Sequence, residues 1–209
     1  MSFTPSDFRA TLARFATGVT VVTTAFNRAY YGLTVNAFSS ISLTPPLIMV
    51  SLDLTSQTYP IIRQSGVFAV NILALEQEQL ALRFASKDLH VKTFEDIPLR
   101  LGETGVPLFQ ESLARIECRM AREYPGGDHA MMLGEVVHVD YSADILAKAP
   151  LLYYRSSFLL FQQEIATNSG PIVMHKPRAV EGSPRESAAT ANNPVLELVP
   201  VKHLFSFEA

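Results

Sequence analysis

The pattern of apolar and polar positions predicts strands along the first half of the chain, with helical stretches between them. Four β-rich runs end in turn signals such as Asn-Arg, Pro-Pro or Ser-Gly, as is typical of antiparallel strands in sequence: VTVVTTA, GLTVNAF, LIMVSLD and FAVNIL. Phe8, Leu12 and Phe15 recur at helical spacing after a Ser or Asp cap, which predicts an amphipathic first helix ending at Gly18. Two more short helices are predicted over TYPIIRQSG and EQEQLALRFAS.

The second half of the chain is predicted to be strands again. SLARIECRMAREY alternates with a period of two, PGGDH makes a turn, AMMLGEVVHVDY runs on as a long strand, and PLLYYRSSFLLF reads as one last strand. About seven strands with few helices and no βαβ rhythm predict a mainly β fold. A closed or partly closed barrel best avoids exposed strand edges.

The stretch GLTVNAFSS has two different faces if it is a strand. Leu33, Val35 and Ala37 lie on one face, and Thr34, Asn36 and Phe38 on the other. With Ser39, Ser40, Ser56 and Thr58, the polar members form a set of short donors and acceptors where strands end and a helix begins. Such a set suits a flat polar ligand with an anionic group at a helix start. Alternatively, Ser56 or Thr58 only caps the helix, and the serines of FSSISL only decorate a loop.

Composition and charge limit the class of protein. With 209 residues, 48% hydrophobic and 18% charged, the chain can form one domain, or one domain and a tail. A net charge of −3 without basic blocks argues against nucleic acid as a partner. No apolar run is long enough for a membrane helix and MSFTPSDFRA does not resemble a secretory signal, so we expect no membrane partner and a cytoplasmic location. The lone Cys118 lies in an alternating strand and reads as a buried structural thiol.

The composition changes near residue 165. KPRAVEGSPRESAATANNP is rich in Pro, Ser, Ala and Asn and reads as a linker or as a segment draped over another surface, and the apolar run VLELVPVKHLF follows it. We therefore divide the chain into a domain over 1–164 and a C-terminal extension over 165–209. The apolar run could be a terminal strand, an arm exchanged with a partner subunit, or a docking peptide.

Several common site motifs are missing from the sequence. There is no GxGxxG, no Walker A sequence and no GxSxG. The five histidines lack metal-ligand spacing and have no cysteine neighbours, so no metal site is predicted.

Taken together, the motifs resemble the flavin reductase-like family, which includes the reductase components of two-component flavin monooxygenases. The resemblance covers roughly residues 8–161. Its most specific combinations are GLTVNAFSS followed by PPL, and GDH followed by PLLYYR; the other matching elements are FATGVTVVTT, the S-x-T of TSQTYPII, SGVFAVNIL with RFAS, and GVPLFQESLARIEC.

The resemblance implies an FMN-binding split β-barrel with a few flanking helices, usually a homodimer that binds FMN or FAD at the subunit boundary. It implies cofactor-binding roles for three groups of residues. Beside the isoalloxazine ring it places Thr34, Val35, Asn36 and Ala37, and at the ribityl chain and phosphate Ser39, Ser40, Ser56 and Thr58. The residues that close over the cofactor are Phe84, Ala85 and Lys87. Around the nicotinamide donor it places His129, as the catalytic residue, with Tyr154 and Arg155.

Plainer roles remain open for some of these residues. His129 could be a turn residue that caps the Gly-Gly bend, and Phe84 could belong to the core. We expect Asp128 to fix the turn or to orient the imidazole rather than to transfer protons.

The activity that the resemblance implies is NAD(P)H:flavin oxidoreduction, in which NADH or NADPH gives a hydride to FMN or FAD, with reduced flavin passed to a separate oxygenase. The positioning of two rings, more than acid or base groups, is the main requirement of that chemistry. The alternatives are a flavin-binding carrier or scaffold without turnover, and a flavoenzyme that acts on another small molecule.

Overall fold

A computed structural model describes residues 2–143, 148–161 and 196–200, and the elements below belong to those ranges. Three short α-helices lie among the strands: α1 (Pro5–Leu12), α2 (Thr58–Ser65) and α3 (Glu78–Ala85). The strands are β1 (Thr17–Gly18), β2 (Thr20–Phe26), β3 (Ala29–Val35), β4 (Phe38–Leu43), β5 (Pro46–Asp53), β6 (Val67–Ile72), β7 (Leu99–Leu101), β8 (Pro107–Phe109), β9 (Ala114–Gly126), β10 (His129–Tyr141), β11 (Leu152–Tyr154), β12 (Ser157–Phe161) and β13 (Leu196–Pro200). The predicted mainly β class is confirmed.

The main sheet has seven antiparallel strands in the order β3-β2-β6-β9-β10-β5-β4. Its two edge strands, β3 and β4, are joined in the chain by only Asn36 and Ala37. The sheet must therefore curl until its edges approach each other, which gives the expected barrel-like shape. A smaller sheet has the order β1-β11-β12-β13, and β7 pairs with β8 in a separate hairpin.

Three strand predictions need correction. The described residues form thirteen strands rather than about seven, and several of these strands have only two or three residues. PLLYYRSSFLLF forms two strands, β11 and β12, because the chain reverses at Arg155 and Ser156, which both have positive φ angles of 51° and 61°. That backbone suits a two-residue hairpin, although the sequence carries neither of the usual turn residues, Asn and Gly. GLTVNAFSS is also divided, since β3 ends at Val35 and β4 begins at Phe38.

The first helix is confirmed, but it ends at Leu12 rather than at Gly18, and its cap is Thr4. The Thr4 hydroxyl accepts a hydrogen bond from the Asp7 amide (3.2 Å), and the Asp7 carboxylate accepts one from the Thr4 amide (2.9 Å). The apolar side of the helix is not buried within the described chain, where Phe8 and Leu12 are 52% and 54% exposed. Phe15, three residues after the helix, is 76% exposed.

Two groups of buried side chains stabilise the fold. One fills the curled sheet beneath α2 and includes Val50, Leu52, Ile62, Phe68 and Met132. The other lies beneath α3 and includes Val21, Phe84, Phe109, Leu151 and Phe158. Burial of these apolar side chains is the main favourable term in folding.

The remaining fold predictions have mixed outcomes. Cys118 is fully buried, and burial raises the pKa of its thiol to about 12, so it is a structural residue as predicted. The apolar run of the extension provides β13, which pairs with β12 as a terminal strand. The boundary expected at residue 164 lies outside the described residues. Within those residues, no helix combines the length and apolar character needed to cross a membrane.

Candidate active site

A cavity of about 390 Å³ lies where the two edges of the curled sheet approach each other, and we call it the seam cavity. Its volume is within the range of roughly 300–1,000 Å³ typical of small-molecule sites. Four parts of the chain line it: the end of β3 with the link to β4, the end of β5 with the loop that leads to α2, the end of α3 with the segment after it, and His129. The lining residues are Leu33, Thr34, Val35, Asn36, Ala37, Ser51, Asp53, Thr55, Ser56, Gln57, Ala85, Ser86, Lys87, Leu89, Lys92 and His129.

The link between the edge strands shapes one wall of the seam cavity. The Phe38 amide donates to the Asn36 carbonyl (3.0 Å), which makes a tight bend, and the Ser51 amide donates to the Ala37 carbonyl (3.0 Å). These bonds fix the link against β5. The backbone and side chains of residues 33–37 thus form a narrow, fixed wall.

The hydroxyls of two threonines hold this wall in place. The Thr34 hydroxyl donates to the Ala81 carbonyl of α3 (2.6 Å), and the Thr58 hydroxyl donates to the Gly32 carbonyl of β3 (3.2 Å). Both threonines are buried. They tie the two flanking helices to β3, so the wall is stabilised by contacts across three elements.

The lining of the seam cavity includes groups that an anion needs. Ser56 lies just before α2, and its hydroxyl accepts a hydrogen bond from the Tyr59 amide (3.2 Å). Lys87 and Lys92 line the same cavity from the segment after α3. Burial lowers the pKa of the Lys92 ammonium, so a bound anion would replace part of the solvation that this group has lost.

His129 lies at the start of β10, directly after the turn at Gly127 and Asp128. Its Nδ1 atom is 2.7 Å from the Asp128 carboxylate, and this hydrogen bond lowers the pKa of Asp128. The Asp128 carbonyl also accepts a hydrogen bond from the Leu54 amide (3.0 Å), which ties the turn to the loop after β5. Asp128 therefore both fixes the turn and orients the imidazole, as expected.

The structure brings eight of the predicted site residues together. Those that line the seam cavity are Thr34, Val35, Asn36, Ala37, Ser56, Ala85, Lys87 and His129. They come from four separate parts of the sequence. Leu33 and Val35, which the sequence places on the face opposite Thr34 and Asn36, also line the cavity.

The other six predicted residues lie outside the lining set. Thr58 is behind the wall, as described above. Ser39 and Ser40 are exposed on β4, one or two residues beyond the bend. Tyr154 and Arg155 lie at the hairpin of the smaller sheet, where the Arg155 amide donates to the Ala13 carbonyl (2.9 Å).

Phe84 is a core residue, the second of the two roles left open for it. It has no exposed surface and lies 5.6 Å from Phe109 and 4.9 Å from Phe94, between ring centroids. A Cβ on Gly32 would come within 2.6 Å of the Phe84 ring, so α3 and β3 can pack closely only with glycine there. Phe84 supports the cavity wall and does not cover its opening.

Several lining residues were not predicted from the sequence, although a turn pattern marks the position of two of them. Asp53 and Thr55 belong to the DLTSQT segment, where the Asp53 carboxylate accepts from both the amide and the hydroxyl of Thr55 (2.7 Å each). That turn could have been predicted from an Asp two residues before a Thr. Lys92 follows a short 3-10 turn in a segment with no periodic pattern, and nothing local marks it as a site residue.

Comparison with known proteins gives a consistent set of matches. A family model described as a flavin reductase like domain matches residues 12–159. The reductase subunit HsaB of a flavin-dependent monooxygenase from Mycobacterium tuberculosis is 34% identical over 163 residues, which cover 78% of this chain and 86% of that protein. SmoA of Agrobacterium fabrum, named an FMN reductase (NADH), is 38% identical over 131 residues, covering 63% of this chain and 74% of SmoA.

Solved structures are similar as well. The flavin reductase PheA2 in its native state shares 35% identity with a TM-score of 0.68, covering 75% of this chain and 97% of its own. The NADH:FAD oxidoreductase SgcE6 of Streptomyces globisporus C-1027, in complex with NAD and FAD fragments, shares 31% identity with a TM-score of 0.69, covering 81% and 99%.

Proposed function

The chain belongs to the flavin reductase-like family, and on that basis we propose that it is a flavin reductase that transfers hydride from NADH to FMN or FAD. The observation that carries the proposal is the seam cavity, whose lining combines a fixed wall, groups that can bind an anion, and His129. The donor is assigned as NADH because the relatives SmoA and SgcE6 are both named with that donor. Reduced flavin would supply a separate oxygenase, as the name of HsaB indicates for that protein.

The residues of the seam cavity fit a flavin nucleotide. The wall at residues 33–37 would lie along the ring, with Asn36 and the neighbouring backbone groups at its polar edge. Ser56, Lys87 and Lys92 would hold the phosphate, because hydroxyl and ammonium donors match its charge and acceptors. When bound, the flavin would supply the ring that accepts hydride.

The chain's own contribution to the reaction is binding and alignment. Hydride transfer between two stacked rings depends chiefly on holding them at near-attack distance. The wall would fix the flavin ring, and His129, oriented by Asp128, would position the nicotinamide beside it. The proposal keeps Tyr154 and Arg155 near the donor. In a homodimer, the hairpin of one subunit would bring them there by approaching the cavity of the other.

The proposal includes a homodimer because the exposed apolar side of α1 needs cover. Phe8 and Leu12 on α1, and Phe15 just after it, are each more than half exposed, and exposed apolar surface of this kind marks protein interfaces. Sedimentation at micromolar concentration should give twice the chain mass. A monomer under those conditions would contradict this part of the proposal.

An anaerobic stopped-flow assay tests the activity. FMN and FAD are each mixed with NADH or NADPH in the presence of the purified protein, and loss of oxidised-flavin absorbance is followed. We expect rapid bleaching with NADH. Flavin binding without acceleration of bleaching would instead support the carrier alternative.

Substitution of His129 tests how the donor is positioned. We expect His129→Ala to lower kcat/KM for NADH by about 10- to 100-fold through loss of alignment, while the Kd for flavin stays within about twofold. His138→Ala is the matched control, because His138 lies on the same strand and pairs with Glu103 (3.3 Å) outside the lining set. Equal loss of flavin binding and turnover in His129→Ala would make His129 a structural residue.

A further inference from the structure

A second cavity lies beside the seam cavity, between α2 and the tip of the β9–β10 hairpin, and we call it the hairpin cavity. It is lined in part by Leu54, Tyr59, Arg63 and Glu123, and His129 lines both cavities. The loop after β5 separates them, with Leu54 facing the hairpin cavity and Ser56 the seam cavity. A molecule seated at His129 can therefore extend into either space.

The hairpin cavity contains an arginine that its neighbours hold in place. The Arg63 guanidinium lies over the Tyr59 ring, 5.7 Å from its centroid, and the Arg63 Nε atom is 2.9 Å from the Glu123 carboxylate. The same carboxylate accepts a hydrogen bond from the Tyr59 hydroxyl (2.6 Å), which raises the pKa of Tyr59. Arg63 is nevertheless 56% exposed, so it is ordered and still accessible.

This geometry leaves Arg63 with binding capacity. A guanidinium has five N–H donors in a rigid fork, and the contact with Glu123 uses the one at Nε. The planar fork suits two oxygens of one phosphate. The contact with the Tyr59 ring fixes the plane of the fork, which reduces the entropy lost when an anion binds.

We propose that Arg63 holds the pyrophosphate of the nicotinamide donor in the hairpin cavity. This inference rests on the proposed function, which places the nicotinamide ring in the seam cavity at His129. The two lysines of the seam cavity, Lys87 and Lys92, are assigned to the flavin phosphate, so the pyrophosphate of the donor needs another cation. The hairpin cavity adjoins His129 and provides one. The plainer alternative is that Arg63 and Glu123 form a surface ion pair of little consequence.

Two hydride donors separate these readings. NADH carries the pyrophosphate, whereas 1-benzyl-1,4-dihydronicotinamide carries the same reactive ring without phosphate. We expect Arg63→Gln to lower kcat/KM for NADH about tenfold, as for loss of one charge-assisted contact, and to leave kcat/KM for the benzyl donor within about twofold. Arg63→Lys should lie between the wild type and Arg63→Gln, because it keeps the charge and loses the fork.

Two further variants guard against structural effects. Arg122→Gln is the matched control, since Arg122 is an exposed arginine beside Glu123 on β9 that does not line the hairpin cavity, and both donors should keep their wild-type rates. The double variant Arg63→Gln/Glu123→Gln removes the carboxylate that Arg63→Gln would leave unpaired. It should show the same tenfold loss with NADH alone.

The outcomes that oppose the inference are distinct from failure of the proposed function. An equal loss with both donors would make Arg63 structural, and an unchanged rate with NADH would show that Arg63 does not contact the donor. Either result overturns the inference while the wild-type protein still reduces flavin. A wild-type protein that reduces no flavin with either donor would instead overturn the proposed function.

Discussion

The hydroxyl groups around the seam cavity form hydrogen bonds of two different kinds. Thr34, which lines the cavity, and Thr58, which does not, both donate their hydroxyl hydrogens to backbone carbonyls, one of α3 and one of β3. By contrast, the Ser56 hydroxyl accepts a hydrogen bond from a backbone amide and keeps its own hydrogen available to a ligand. A hydroxyl has a single O–H donor. The threonines therefore hold the wall together, and Ser56 can donate to a bound phosphate.

The segment around the end of α3 likewise contains both buried supporting residues and residues that line the cavity. Phe84 has no exposed surface and packs against Gly32, whereas Ala85 and Lys87 line the cavity. One turn of chain thus contains both support and contact residues. Variants on each side should separate stability from binding.

The largest effect is expected from removal of the support behind the wall. Phe84→Ala deletes a fully buried ring between Phe94 and Phe109 and should lower the free energy of unfolding by about 3–5 kcal/mol, measured by urea denaturation. Leu101→Ala, at a half-exposed position on β7, is the control and should cost less than about 1 kcal/mol. Near-normal stability of Phe84→Ala with much weaker flavin binding would restore the role of a lid.

A pair of hydroxyl substitutions should have opposite consequences. Thr34→Val removes the buried bond to Ala81 and should lower the free energy of unfolding by about 1 kcal/mol. Thr34 also lines the cavity, but its hydroxyl donates to Ala81 and valine keeps its shape, so flavin affinity should change little. Ser56→Ala should raise the Kd for FMN about fivefold and change stability by less than about 0.5 kcal/mol. Unfolding in urea and fluorescence titration of FMN measure the two quantities. If Thr34→Val weakened FMN binding more than Ser56→Ala, the assignment of the two hydroxyls would be reversed.

The site could be predicted from the sequence where one short segment determines the geometry. Residues 34–37 follow one another in a short segment at the end of β3, and a Gly-Asp-His turn holds His129 beside Asp128, so both groups line the cavity as expected. Phe84 could not be assigned from its sequence neighbours, because its burial depends on close approach to Gly32, more than fifty residues earlier. The strand order and the hairpin at Arg155 depend likewise on contacts between distant segments.

The free energy of unfolding should depend on pH through Lys92, which lines the seam cavity. Its pKa is lowered by burial, so below 10.5 the unfolded chain binds more protons than the folded chain. The free energy of unfolding should therefore rise with pH from the lowered pKa up to 10.5. The rise should be less than about 1 kcal/mol, because the side chain is only partly buried.

The measurement compares unfolding of the wild type and of Lys92→Met between pH 8 and pH 10.5, with Lys148→Met as a control for loss of one positive charge. Saturating FMN should abolish the rise, because its phosphate stabilises the charged ammonium, and riboflavin should leave it in place. A rise that persists with FMN would mean that Lys92 does not contact the phosphate.

The smallest effect is expected from the exposed serines that follow the bend. Ser39 and Ser40 lie on β4 outside the lining set, so they can contact only a part of the cofactor that projects from the cavity. FAD has such a part in its adenosine, and FMN does not. Ser39→Ala/Ser40→Ala should therefore raise the Kd for FAD about two- to threefold, as for loss of one exposed hydrogen bond, and leave the Kd for FMN unchanged. An equal rise for both flavins, in parallel titrations, would place these hydroxyls at the ribityl chain or phosphate that the two flavins share.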